Sequence, residues 1–240
     1  MVASSSMTEH VPPLPACRLA RRVFLGRAAL SVLAIAPCAW SAEPVREDEQ
    51  QRRIMNSRLY TFLGGDAGPW KITESRTIVG EALPAATRLD IVNGPPESHG
   101  RFAWALRGVT SNERYVVRSE KERLVEKQQA PGRPGATCGA LIPIRKNARW
   151  WSLTQDERRR VFEEHSAHIK IGLNYLPAVA RRLHHCRDLG DSEPFDFLTW
   201  FEFAPSDLAA FDRLLAELRA SEEWTYVERE VEIRVVRDAG

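Results

Sequence analysis

Three segments decide the reading of this chain: TQDERRRVFEEHSAHIKIGLNY at residues 154–175, AVARRLHHC at 178–186 and FDFLTWFEF at 195–203. Thr154 and Glu157 have the T-x-x-E spacing of a capping box. The Thr hydroxyl accepts an amide of the first turn, and the Glu carboxylate reaches back to the amide of the cap. The helix so opened is expected to run to about Tyr175, because Pro177 pushes Leu176 into extended geometry. Val161, His165, His168 and Gly172 then share one stripe at helical spacing. The next two segments read as strands, the second with aromatics at alternate positions. Pro205-Ser206-Asp207 opens another helix with Leu208, Phe211, Leu215 and Leu218 inward, and a final strand runs through Ile233. With Ala140 to Ile144 as a short apolar strand in front, the order implies an α+β sandwich, helices covering an antiparallel sheet.

Toward the amino terminus the same vocabulary recurs more weakly. RLYTFL at 58–63 reads as a strand ended by Gly64-Gly65-Asp66, and Trp70 to Gly80 holds another. Glu81 to Arg88 reads as a short helix. Pro95-Pro96 and Gly100 mark a loop. Phe102 to Val109 and Arg114 to Val117 read as strands. Ser119 to about Gln129 reads as a helix with Glu120, Lys121, Glu122 and Arg123 outward, and APGRPGATC at 130–138 is a break. The first half thus looks like a shorter version of the second, although no sequence repeat proves it. The expected organisation is a lobe over 57–139 and a second domain over 140–240.

The first forty residues read differently. Arg18, Arg21, Arg22 and Arg27 form a basic region, Arg21-Arg22-Val23-Phe24-Leu25 has the twin-arginine form, and an apolar stretch runs from Ala28 to Ala36. That stretch is too short to span a bilayer and right for a signal core. Ala39-Trp40-Ser41 offers a cleavage site. Residues 1–41 are therefore expected to be a twin-arginine signal peptide, used by the export machinery that carries folded, cofactor-loaded proteins, and the mature chain to be periplasmic. Pro37 argues against Cys38 as a lipid anchor. Residues 42–56, dense in charge, read as a linker.

The full chain has 34 basic and 32 acidic side chains. Removing residues 1–41 leaves 30 and 31, a near-neutral protein with no electrostatic footprint for nucleic acid. No other segment is apolar enough to cross a membrane. Only Cys138 and Cys186 of the 4 cysteines remain outside the leader; they have no zinc spacing and no disulfide framework. No CxxC pair, CxxCH haem attachment, glycine-rich phosphate loop or HExxH motif occurs.

Three residues stand out by chemistry. His168 lies on the core-facing stripe, where a histidine is either a satisfied core residue or a metal ligand through a neutral nitrogen; His165, one turn earlier, competes with it. Arg181 shares a strand face with Val179 and Leu183. It is either on an edge in solvent or a fixed cation awaiting an anion, since burial without a partner is costly. Glu223 is either a solvated charge at a helix end or a carboxylate that orients a ligand histidine. Trp150 and Trp151 read first as core anchors.

Taken together, IPIRK (142–146), WW (150–151), TQDERR (154–159), the His168 segment, YLPAVAR (175–181), HCRDLG (185–190), FDFLTWFEFAP (195–205) and LRASEEWTYVEREVEIR (218–234) resemble the haem-binding half of the chlorite dismutase family. LYTFLGGDAG (59–68) and LRGVTSNERYV (106–116) resemble the shortened first lobe of its small, dimer-forming branch. The resemblance implies two ferredoxin-like halves forming a dimeric α+β barrel, with one non-covalent haem b per subunit in the second half. It makes His168, not His165, the axial ligand of the iron, Glu223 the carboxylate bonded to it, and Arg181 the catalytic arginine on the substrate side. Lys146, Trp150, Trp151 and Tyr115 would line the haem pocket and its propionates. The implied reaction converts chlorite to chloride and O2 through hypochlorite and an iron-oxo species that recombine, in a homodimer.

Other members of the superfamily set the alternatives. Coproheme decarboxylases carry glutamine where this chain has Arg181 and are cytoplasmic. Peroxidase relatives add a distal Asp that is not evident here. A haem-binding protein without turnover is the alternative from outside enzymology.

Overall fold

The computed structural model describes residues 58–95, 102–111 and 114–238. The expected leader and linker lie outside the described residues, as does part of the expected loop at 95–100.

Eight antiparallel strands close into one barrel: β1 (Leu59–Gly65), β2 (Trp70–Val79), β3 (Arg88–Asn93), β4 (Phe102–Thr110), β5 (Cys138–Lys146), β6 (Ala180–His185), β7 (Phe197–Phe203) and β8 (Val227–Arg237). Their order around the barrel is β1-β3-β2-β8-β5-β7-β6-β4. The first four strands and the last four each run fourth, first, third, second, and the two sets join where β2 pairs β8 and β4 pairs β6. Closure gives every strand a neighbour on both sides, although the β2–β3 and β4–β6 seams are each paired over two residue pairs only.

Helices connect the second set. Between β5 and β6 come α2 (Ala148–Ser152), α3 (Gln155–Arg159), a π-helical turn (Arg160–His165) and α4 (His168–Asn174); between β7 and β8 comes α5 (Leu208–Arg219). The helix α1 (Arg118–Lys127) lies between the two sets of strands.

Side-chain alternation along each strand divides the apolar residues into two cores. Phe62, Trp104, Leu141, Leu198, Trp200 and Ile233 belong to one cluster that draws on both sets of strands. Ala140, Ile142, Ile144, Phe201 and Phe203 face the other way and pack on Phe211, Leu214, Leu215 and Leu218 of α5. FDFLTWFEF therefore reads as nearly continuously apolar because both of its faces are covered. A smaller cluster joins Leu124 of α1 to Ile169 and Leu173 of α4.

Four expectations are corrected. Residues 81–86 have no regular structure, and the chain goes on to β3, an additional strand. Tyr115 sits in a turn at φ 63°, not in a strand. The strand expected to end at Ile233 continues to Arg237. The helix expected over 154–175 is interrupted: the capping box forms, with Glu157 accepting the Thr154 amide at 2.7 Å, but the π turn and Ala167 at φ 50° break the regular register. One consequence is that His165 leaves the His168 stripe; its side chain is exposed and faces Glu222 at 3.2 Å.

Candidate active site

A cavity of about 480 Å³ lies between the outer face of the second set of strands and helices α1, α4 and α5. His168, Arg181, Glu223, Lys146, Trp150 and Tyr115 all line it.

His168 opens α4, immediately after the left-handed Ala167. Its Nδ1 lies 2.6 Å from Glu223 Oε2. With the Nδ1–H donating to that carboxylate, Nε2 keeps the free lone pair. Phe162 stacks on the ring, centroids 4.2 Å apart and planes 23° apart, and fixes its plane.

Glu223 is buried on the short 3-10 turn that follows α5. Its other oxygen accepts from Lys146 Nζ at 2.9 Å, and its backbone N–H donates to Ser166 Oγ at 2.8 Å. Burial opposes its ionisation, but the charge of Lys146 and the hydrogen bonds from His168 and Lys146 prevail. The carboxyl is held down at about 2. Lys146 is 4 % exposed. The Lys146 ammonium lies 4.8 Å from the Trp150 ring centre and 5.5 Å from that of Trp224, so aromatic faces surround the pair.

Arg181 projects from β6. Its Nη1 lies 3.5 Å from where a Cβ on Gly172 would stand, one turn along α4 from His168. Burial lowers its pKa, yet a guanidinium starts high enough to stay charged. Among the described residues it forms no ion pair, whereas Arg107, Arg114, Arg159 and Arg219 each pair with a carboxylate. Gln128 donates from Nε2 to the Arg181 carbonyl at 2.9 Å and ties the end of α1 to this strand.

Trp151 supports the wall from behind instead of lining it. It stacks on Phe197, donates to Asp196 at 3.2 Å and carries the Arg187 guanidinium on its face at 4.2 Å. Tyr115 meets Trp150 edge-on at 6.0 Å, and its carbonyl accepts from Arg159, which also clamps Glu120 of α1. Cys138 and Cys186 are both free thiols, and burial pushes the Cys186 thiol far above its ordinary range.

A protein-family model described as chlorite dismutase matches residues 93–238. The chain belongs to the chlorite dismutase family. Over 148 residues it is 32% identical to the chlorite dismutase of Ideonella dechloratans; that segment is 59% of this chain and 45% of the relative, so the match spans less than half of the relative's length. A crystal structure of a dimeric chlorite dismutase from Nitrobacter winogradskyi shares 54% identity, covers 75% of this chain and 99% of its own, and superposes with a TM-score of 0.69. The chlorite dismutase of Candidatus Nitrospira defluvii in complex with imidazole is 21% identical over 79% of this chain and 95% of its own, with a TM-score of 0.54; that likeness concerns the fold.

Sequence reasoning passed over Phe162, Ser166, Gln128 and Asp196. Only spatial proximity reveals them: each acts on a site residue far away in sequence or across the helix break. It also passed over His185, for which a signal existed, since His185 shares the strand face of Arg181 at a separation of four residues.

Proposed function

We propose that this protein converts chlorite to chloride and O2 with a haem b held by His168. The observation that carries the reading is Arg181: a guanidinium without a carboxylate partner among the described residues, lining the same cavity as a histidine that a buried carboxylate orients. Family membership and the 54% identical relative support it.

The residues fit haem b. His168 offers a neutral nitrogen, the walls are largely apolar, and the buried Trp150 Nε1–H has no partner among the described residues and can donate to an acceptor on the group. With no CxxCH, attachment is non-covalent. When bound, haem b supplies a redox-active iron that can accept and return an oxygen atom. The chain's own residues do the rest. Glu223, kept ionised by Lys146, holds the Nδ1 proton of His168 and strengthens the ring as a donor. Arg181 draws the chlorite anion into a cavity of low dielectric and holds it. The same cation retains the hypochlorite released part-way, so that both oxygen atoms of one chlorite leave as O2. The balance is ClO2− → Cl− + O2, with no proton or external electron.

The two runs of four strands, identical in order, support reading them as ferredoxin-like halves, residues 57–139 and 140–240, with the cofactor in the second. The dimeric relative supports a homodimer with one haem per subunit. The twin-arginine leader supports export to the periplasm and removal of residues 1–41. Among the described residues no helix is long and apolar enough to cross a membrane.

An oxygen electrode provides the test. Haem-loaded protein given chlorite should release one O2 and one chloride per chlorite. Haem-loaded protein that releases no O2 overturns the reading.

A further inference from the structure

His185 is a buried histidine that the mechanism leaves unused. It is 2 % exposed and lines the same cavity as Arg181. Among the described residues its Nε2 has no hydrogen-bond partner, and no hydrogen bond to Nδ1 is formed. Buried polar nitrogens are almost always paired, because leaving one dry forfeits its hydration without return. Its neighbour His184 is satisfied at one nitrogen, with Nδ1 donating to the Leu198 carbonyl at 3.1 Å; its Nε2 is also buried without a partner among the described residues, but among the barrel aromatics Tyr60 and Phe62 and not in the cavity that His185 lines.

The ring is fixed in place. Phe197 meets it at 4.9 Å and 77°, and β6 is paired on both sides there, with Val109 and Phe197. Alternation puts Arg181, Leu183 and His185 on one face. At ~3.3 Å per residue His185 lies roughly 13 Å along the strand from Arg181, off the reacting centre and toward the rim of a macrocycle. Arg114, Tyr115 and Trp150 also line the cavity, and Trp150 Nε1 is likewise buried without a partner among the described residues. The charged side chains that bear on His185 are Arg114 and Asp188, and these pair with each other.

Haem b carries two carboxylates at one edge and offers no other strong acceptor. We infer that His185 is a positioning residue that donates a hydrogen bond to a carboxylate of the cofactor, alongside Trp150. The inference rests on the haem reading and deepens it. As the structure stands, burial holds the imidazole down at about 4, so it is neutral near pH 7. An adjacent carboxylate favours the proton on the ring.

The test compares haem b with its dimethyl ester, which keeps the macrocycle and masks both carboxylates. Haem loss to an excess of a high-affinity scavenger protein is the readout. His185→Leu should lose haem b about tenfold faster than the unaltered protein, and His185→Gln, which keeps an N–H donor, should lie between them. All three should lose the dimethyl ester at one rate. An unchanged rate with haem b, or the same acceleration with the ester, overturns the inference. Should His185→Leu fail to fold, the unaltered protein still decides. The ¹⁵N resonances of His185 should move on binding gallium protoporphyrin IX and stay put on binding its dimethyl ester; equal responses overturn the inference. If the unaltered protein binds no haem b at all, the underlying reading falls first. If it binds haem b and His185 is indifferent, only this inference falls.

Discussion

At the scale of single residues the site is a contrast between a satisfied charge and an unsatisfied one. Glu223 has Lys146 on one oxygen and His168 on the other, so its charge is fully committed. Arg181 has no such partner among the described residues and is free to meet an anion. Arg181→Gln should therefore leave haem binding intact, lower chlorite turnover by about tenfold or more, and hasten bleaching as hypochlorite escapes. Steady-state rates and the decay of the haem absorbance check both effects, and an unchanged rate and lifetime would contradict the assigned role. His168→Ala should weaken haem binding while His165→Ala should not, because His165 points to Glu222 at the surface. Glu223→Gln should cost the haem-free protein roughly 3 kcal/mol, since it strands a buried ammonium. Adding Lys146→Met should restore most of that loss in urea unfolding. If the double variant is no better than the single, the pair is not what the carboxylate supports.

At the scale of elements, one residue sets where His168 points. Ala167 occupies the left-handed region, which costs a residue with a Cβ about 1–2 kcal/mol. That kink separates α4 from the π turn and swings His165 outward. Ala167→Gly should be close to neutral, since relief of strain offsets the loss of chain entropy. Ala167→Val should cost on the order of 1–2 kcal/mol and loosen haem. Equal stability of the two variants by chemical denaturation would show that the kink is not held against strain. The kink was not legible in the sequence, because an unbroken helical pattern runs through it and the only warnings were small residues, Ser166 and Ala167. What was legible was whatever announces itself locally: the Thr154 capping box, α1, the aromatic alternation of β7 and the two segments on either side of Pro177. β3 was missed because RLDIVN is short and half polar, and its strand character comes from pairing with β1. As for the site, spacing left His165 and His168 level and Arg181 ambiguous. The long family resemblance separated them there, and the Glu223 contact separates them in space.

At the scale of the whole molecule the two sets of strands do not have separate interiors. Phe62 and Trp104 from the first and Trp200 and Ile233 from the second share one core. A fragment spanning 140–240 would expose that face, and it should fail to give the cooperative unfolding of the intact chain in circular dichroism. Burial on the two faces of β6 governs the response to acid, His184 facing the shared core and His185 the cavity. Burial holds both His184 and His185 down at about 4, against 6.5 for a free histidine, so each is neutral in the folded protein and protonated in the unfolded one between those values. The unfolded chain binds more protons there, hence stability is complete above about 6.5 and is lost as pH falls toward 4, by on the order of 3 kcal/mol per histidine. Glu223 adds a second window. Its folded pKa of about 2 lies below the ordinary 4.5, so its contribution is present above 4.5 and is lost as pH falls toward 2. Urea midpoints of the haem-free protein should accordingly fall between pH 7 and 5, before ordinary carboxylates titrate. A His184→Gln/His185→Gln variant should flatten that upper limb and leave the lower one. Midpoints that stay level from pH 7 to 5 in the unaltered protein would mean that water reaches both rings. Haem b should damp the upper limb by giving His185 a carboxylate, whereas the dimethyl ester should not. The acid profile of the intact protein thus reads, from outside, whether the buried ring has found its partner.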